Sequence, residues 1–324
     1  MFQRRELLSA VDLLRKNGFE TLILKGGWLA WHAYPEAAMR PLRDFDLLLR
    51  EHDFRPALDL MLASGYSYAW PLTMPIDEII RIDKSPPPLL TAAGTAFEPH
   101  LRAWFPAGRF DYPSPAPDTA GMFARSLVEA DGLRYPAPAD MLAHLIIHAV
   151  YSHRLDCGPL LLFDIDYLVR ARTIDWTALW ARAHDEGWAT AAALVLTMTR
   201  DYRGSPIPLL APREAALLPP RYAELVAALM LQDHDSRLSA GFAAAAATSG
   251  WPALLGRLRR ETSVAGLAPV KRETGRGGYL GWAVSRLWRT ATALLRRDVR
   301  RQARELAAFN RWLQQGGTGP GGEP

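Results

Sequence analysis

Two aspartates one residue apart sit in the segment Asp44-Phe45-Asp46-Leu47-Leu48-Leu49. The alternation of acid and apolar residues reads as a strand, and on a strand residues two apart project to one face. Both carboxylates therefore point together, while Phe45 and Leu47 point into packing. Carboxylates this close repel unless a cation lies between them, and hard oxygen donors select Mg²⁺ or Mn²⁺. By itself such a pair also fits an exposed strand or turn. Upstream, Leu22-Ile23-Leu24 is an apolar run leading into Lys25-Gly26-Gly27, and the glycine pair opens a helix. Backbone N–H groups at a helix start, with no Cβ in the way, suit phosphate, and Lys25 adds a positive charge. A plain tight turn would carry the same residues. Glu98 falls on the next expected strand. A third carboxylate beside the pair would complete a two-metal site and stand where it could take a proton from an acceptor hydroxyl. Alone it would read as a solvated glutamate.

The elements that must position these groups follow from apolar spacing. Leu7, Leu8, Val11 and Leu14 predict a helix over residues 2–16, ended at Gly18. Residues 20–25 predict a short strand and 28–34 a helix stopped by Pro35. Residues 44–49 predict a second strand and 54–63 a further helix. Residues 71–95 read as irregular, with Pro86, Pro87 and Pro88 as a stiff break. Residues 95–101 predict a strand that Pro99 restricts to a sheet edge or to the strand's end. Prolines 106, 113, 115 and 117 mark a connection. From about residue 120 onward only helices are expected, at 141–151, 160–171, 177–187, 211–218, 221–231 and about 280–313. The tail Gly-Gly-Thr-Gly-Pro-Gly-Gly-Glu-Pro is expected to be disordered. The expected fold class is α+β, with a small mixed-sheet core at 1–118, a helical region at 119–315 and a tail at 316–324.

The order is helix, strand, Gly-Gly, helix, Asp-x-Asp strand, then a strand with one acid. In that order the chain resembles the DNA polymerase β-type nucleotidyltransferase superfamily. More closely, it resembles a bacterial family of uncharacterised nucleotidyltransferases. The matching segments are Leu24-Lys25-Gly26, Arg40 ahead of Asp44-Phe45-Asp46-Leu47-Leu48, and Glu98-Pro99-His100. Further on they are His144 and His148, Phe163-Asp164-Ile165-Asp166, and Ile174-Asp175-Trp176. The likeness covers about residues 5–200. It implies transfer of a nucleoside monophosphate from an NTP to an acceptor, with Mg²⁺ or Mn²⁺ held by Asp44, Asp46 and Glu98. Gly26 and Gly27 would hold the β- and γ-phosphates, and Lys25, Arg40 or Arg43 would neutralise the triphosphate. Glu98 would be the third ligand or the base. Relatives often lie beside peptide-modification genes, so the resemblance admits a peptide as well as a small-molecule acceptor. A catalytically weak nucleotide-binding or antitoxin-like module is a second reading. A nucleic-acid-acting enzyme is a third.

Composition narrows the classes. The chain has 324 residues, 49 % hydrophobic and 22 % charged, which excludes whole-chain disorder. A single cysteine, Cys157, excludes a disulfide scaffold and any Cys-based zinc cluster. No run reaches the roughly 18 apolar residues of a membrane span, and a cytoplasmic setting is the expectation. The net charge is +4, yet residues 251–324 carry fourteen Lys/Arg against five Asp/Glu. That basic end suits an acidic partner, although a solvated face of an amphipathic helix is the favoured reading over nucleic-acid binding. His144 and His148, four apart, share a helix face and read as packing histidines between the two parts, with Asp140 as a helix cap. Asp164 and Asp166 lie on a helical stripe, where residues two apart diverge by about 200°. They therefore cannot share a metal.

Overall fold

The computed structural model describes residues 2–72, 74–106, 114–219, 221–231, 240 and 296–315. In chain order the elements are α1 (Phe2–Lys16), β1 (Thr21–Ile23), α2 (Gly26–His32), β2 (Asp44–Leu49) and α3 (Glu51–Ala63). They continue with β3 (Ser67–Tyr68), α4 (Ile76–Ile82), β4 (Leu89–Leu90), β5 (Ala96–His100) and α5 (Thr119–Arg125). Then come β6 (Leu127–Val128), β7 (Arg134–Tyr135), α6 (Pro138–Ile147), α7 (Leu160–Ala171), α8 (Trp176–Asp185) and α9 (Ala189–Arg203). The last are α10 (Pro212–Ala215), α11 (Tyr222–Met230) and α12 (Arg297–Gln314). A short π-helical turn, His148–Ser152, extends α6.

The main sheet has the order β1-β2-β5-β4-β3. β2 runs parallel to β5 and antiparallel to β1, and β4 is antiparallel to both β5 and β3. β2 lies inside the sheet because its apolar residues are buried one after another: Phe45, Leu47, Leu48 and Leu49 are all at most 1 % exposed. Helix α1 buries Leu7, Val11 and Leu14 of the expected stripe, with Ala10 in place of Leu8, which is exposed. Helix α6 is buried from Asp140 to Ile147 and packs with α7 and α9. One continuous cluster of buried side chains links the sheet to these helices, running from Leu7 through Phe97, Ile146 and Leu194 to Leu313.

The mixed α+β class is as expected, and several local expectations are corrected. Residues 71–95 are not irregular throughout: they contain α4 and β4, which present a lysine discussed below. The region after residue 120 is not purely helical, since β6 and β7 form a small antiparallel pair. Of the two placements expected for Pro99, the structure has the strand's end: β5 is an interior strand and Pro99 is its penultimate residue. It tolerates the missing N–H because β4 pairs only with Ala96 and Phe97, leaving Pro99 flanked by β2 alone. Asp140 is not a cap. It is fully buried and binds Arg125 at 2.8 and 2.9 Å, with Arg182 beside it. The terminal helix begins at Arg297; the expected stretch 280–295, Trp282, Trp288 and the tail lie outside the described residues. α12 buries Val299, Leu306, Phe309 and Leu313, while Arg297, Arg300, Arg301, Arg304 and Arg311 lie on its exposed side.

Candidate active site

Period-two alternation along β2 puts Asp44 and Asp46 on the face opposite Phe45 and Leu47. The parallel register then sets Asp46 opposite Glu98 and Leu48 opposite His100. Asp46, Glu98 and His100 therefore converge on one face. His100 Nε2 lies 2.9 Å from Asp46 Oδ1 and 3.3 Å from Glu98 Oε2. The same Oδ1 accepts from Lys25 Nζ at 2.8 Å. Two protein side chains thus already meet one oxygen of Asp46, which a reading of the carboxylates alone did not foresee.

Lys25 is held under strain. Its φ is +43°, a left-handed value that a residue with a side chain rarely adopts. Its N–H meets Met141 Sδ at 3.3 Å, and its carbonyl accepts from Trp28 and Leu29. The turn from β1 into α2 is therefore clamped at both ends, and it delivers the ammonium to Asp46.

The charges are strongly coupled. Burial, followed by the negative charges of Asp46 and Glu98, pushes the Asp44 carboxyl up to about 6. Burial works in the same direction on Asp46. There the charges of Lys25 and His100 win, and the carboxyl stays well below the usual range. Burial, the largest single influence on Glu98, raises its carboxyl, but the hydrogen bond from His100 together with the charges of His100 and Lys25 holds it below the usual value. An acid cluster in which one member is driven towards protonation is short of positive charge.

Those donors fit a divalent cation. Asp46, Glu98 and His100 each offer a ligand atom, and the three atoms lie within 4.8 Å of one another. Asp44 brings a further carboxyl on the same face. The fitting trio differs from the expected Asp44, Asp46 and Glu98 by including the histidine. His100 is two residues after Glu98, so the same alternation that aims Glu98 also aims His100, and the motif carried that signal.

The other expected residues are placed as follows. Gly26 and Gly27 are buried, and a side chain at either would force neighbouring side chains to move. A Cβ on Gly26 would collide with the Arg40 guanidinium and come within 2.7 Å of Leu42 Cδ2. One on Gly27 would strike Ile23 Cγ2. The Gly27 N–H is taken by Leu24 O at 3.1 Å. Arg40 donates to both oxygens of Asp164, at 3.0 and 2.9 Å, and Tyr34 Oη donates to Asp164 at 2.7 Å. The charge of Arg40 is thus already matched, and Asp164 ties α7 to the segment entering β2. Asp166 turns elsewhere, to Arg170, Arg203 and Ser205. Arg43 is exposed immediately before Asp44. His144 is fully buried, and neither ring nitrogen has a hydrogen-bond partner among the described residues. Burial holds it neutral, with the charges of Lys25 and Lys84 acting the same way.

These groups open into a cleft of about 510 Å³. Lys25, Asp44, Asp83, Lys84 and Glu98 supply its charged lining, and Trp70 and Phe105 contribute aromatic lining. Lys84 gave no signal in the sequence, because it follows a helix in a stretch read as irregular.

A sequence model for a family described as an uncharacterised nucleotidyltransferase matches residues 1–204. No curated protein and no solved structure matches the chain. Among the described residues, no helix is long and apolar enough to cross a membrane.

Proposed function

Because the chain belongs to this family of nucleotidyltransferases, we propose that it moves a nucleoside monophosphate from an NTP to the hydroxyl of a small-molecule or peptide acceptor and releases pyrophosphate. The observation that carries the reading is the register that sets Asp46 against Glu98 across β2 and β5, with Asp44 on the same face and Lys25 at 2.8 Å.

In this reaction the acceptor oxygen forms a bond to the α-phosphorus as the bond from that phosphorus to the bridging oxygen breaks. The bridging oxygen leaves with the electron pair as part of pyrophosphate. The acceptor proton passes to a carboxylate of the cluster. Glu98 and Asp44 both line the cleft for this role, and Asp44, whose carboxyl is raised to about 6, is the most basic of the three. Asp46 is a poor base, since Lys25 and His100 stabilise its charge; its part is to hold and orient. A Mg²⁺ or Mn²⁺ ion at Asp46, Glu98 and His100, with Asp44 beside them, would neutralise phosphate charge and align the reacting oxygens. Lys25 reaches the cleft with the only charge that the β1–α2 turn supplies, and the buried glycines keep that turn close to Arg40 and Leu42. Most of the rate enhancement would come from positioning and electrostatics.

The test is incubation of the protein with Mg²⁺, the four NTPs and candidate acceptors. Pyrophosphate would be measured, and the acceptors weighed by mass spectrometry. Asp46→Asn should reduce pyrophosphate release by at least a hundredfold. Unchanged release would end the proposal. NTP binding without turnover would favour the nucleotide-binding module. RNA or DNA binding with a steep salt dependence would instead implicate the exposed arginines of α12.

A further inference from the structure

Lys84 follows α4 in the segment leading to Pro86. It is 8 % exposed, and it lines the cleft together with Lys25, Asp44 and Glu98. Its backbone is fixed on both sides. Asp83 Oδ1 accepts the Lys84 N–H at 2.8 Å, and the Lys84 carbonyl accepts from Leu101 N–H at 3.0 Å. Arg102 tightens the same segment by donating to Ile80 O at 2.7 Å and Asp83 O at 3.3 Å. The segment is thereby pinned to the residues that follow β5, the strand carrying Glu98 and His100.

What this scaffold presents is an ammonium with no hydrogen-bond acceptor among the described residues. Its nearest aromatic neighbour is Phe105, with the ring centroid 5.2 Å from Nζ. The other cations around the site differ. Lys25 is matched by Asp46, Arg40 by Asp164, and Arg102 by Glu51 at 2.8 Å. A buried charge without a hydrogen-bonded partner is costly: burial and the charge of Lys25 work against this one, while Asp46, Glu98 and Asp83 attract it without a hydrogen bond. A fold that keeps it in a cleft beside three carboxylates is prepared for an anion richer in charge than those carboxylates provide.

We infer that Lys84 binds the pyrophosphate half of the donor nucleotide and stabilises it as leaving group. The inference rests on the nucleotidyl-transfer reading above and adds the residue that receives the departing charge. As the bond between the α-phosphorus and the bridging oxygen breaks, the electron pair moves onto that oxygen and the pyrophosphate becomes more negative. A fixed ammonium then binds more strongly in the transition state than in the ground state, which is the condition for acceleration. The α-phosphate, in contrast, would be met by a cation held at the acid cluster.

The experiment compares the full-length protein with Lys84→Met and Lys84→Arg. Calorimetry with Mg²⁺ measures binding of each NTP, of inorganic pyrophosphate and of each nucleoside monophosphate. Thermal unfolding is followed without ligand. Lys84→Met should weaken NTP and pyrophosphate binding tenfold or more and monophosphate binding less than twofold. Lys84→Arg should recover most of the pyrophosphate affinity. The ligand-free Met variant should melt higher than wild type, because an unpaired buried charge has been removed. A residue with a merely structural role would give a lower melting temperature and unchanged pyrophosphate affinity. Wild-type affinity for pyrophosphate in Lys84→Met, or an equal loss for monophosphates, overturns the assignment while leaving nucleotidyl transfer standing. Failure of the wild type to bind either NTP or pyrophosphate overturns both.

Discussion

Replacing Asp44 by asparagine should stabilise the metal-free protein while removing its activity. In the folded chain the Asp44 carboxyl sits at about 6 against an ordinary 3.8, chiefly through burial and then through the charges of Asp46 and Glu98. Above pH 6 the side chain is ionised in both folded and unfolded states, and the folded state carries the whole penalty. Each pKa unit corresponds to about 1.4 kcal/mol, so the penalty is at most about 3 kcal/mol. As the pH falls below 6, the folded chain takes up the proton first and the penalty shrinks. Below about 4 both states are protonated and it vanishes. An asparagine side chain carries no charge and escapes this dependence. The Asp44→Asn variant should therefore melt higher than wild type at pH 8 in the presence of a chelator. The gain should be of order 5 °C for a chain of this size, and the two curves should converge towards pH 4. Differential scanning calorimetry across that range reads both quantities. Adding Mg²⁺ or Mn²⁺ should narrow the gap at pH 8, because a cation stabilises the ionised Asp44. A variant that is less stable at pH 8, or a gap that does not close in acid, would refute the reasoning.

Two further outcomes follow from the packing around the site. Asp164→Ala should cost about 3–5 kcal/mol in urea denaturation, because it strands the buried Arg40 guanidinium and leaves the Tyr34 hydroxyl without its acceptor; the double variant Arg40→Met/Asp164→Leu should recover most of that loss. Gly26→Ala should lose about 1–3 kcal/mol in thermal unfolding, since the new methyl falls onto Arg40 and Leu42; an unchanged melting temperature would show that the turn yields.

Local alternation and helical spacing are properties of neighbouring residues, so the sequence by itself determined what depends on them. β2 runs over Asp44–Leu49 as expected, α1 over Phe2–Lys16, and α7 over Leu160–Ala171. The common face of Asp44 and Asp46 follows from the period of a strand, and so does the shared face of Glu98 and His100. Pairing between distant segments carries no such local signature. Only the tertiary structure decided that β5 lies beside β2 in a register that sets Glu98 against Asp46. It also decided that Lys25 and His100, not a cation from solution alone, face Asp46, and that Arg40 is bound by an aspartate 124 residues away. Lys84 shows the limit most clearly. Its presence in the cleft depends on a backbone bridge to Leu101 and a clamp from Arg102, contacts that no periodicity within residues 71–95 encodes. The physical reason is that side-chain direction is set by the residue's own backbone, whereas charge compensation is set by whichever segments the buried core forces together.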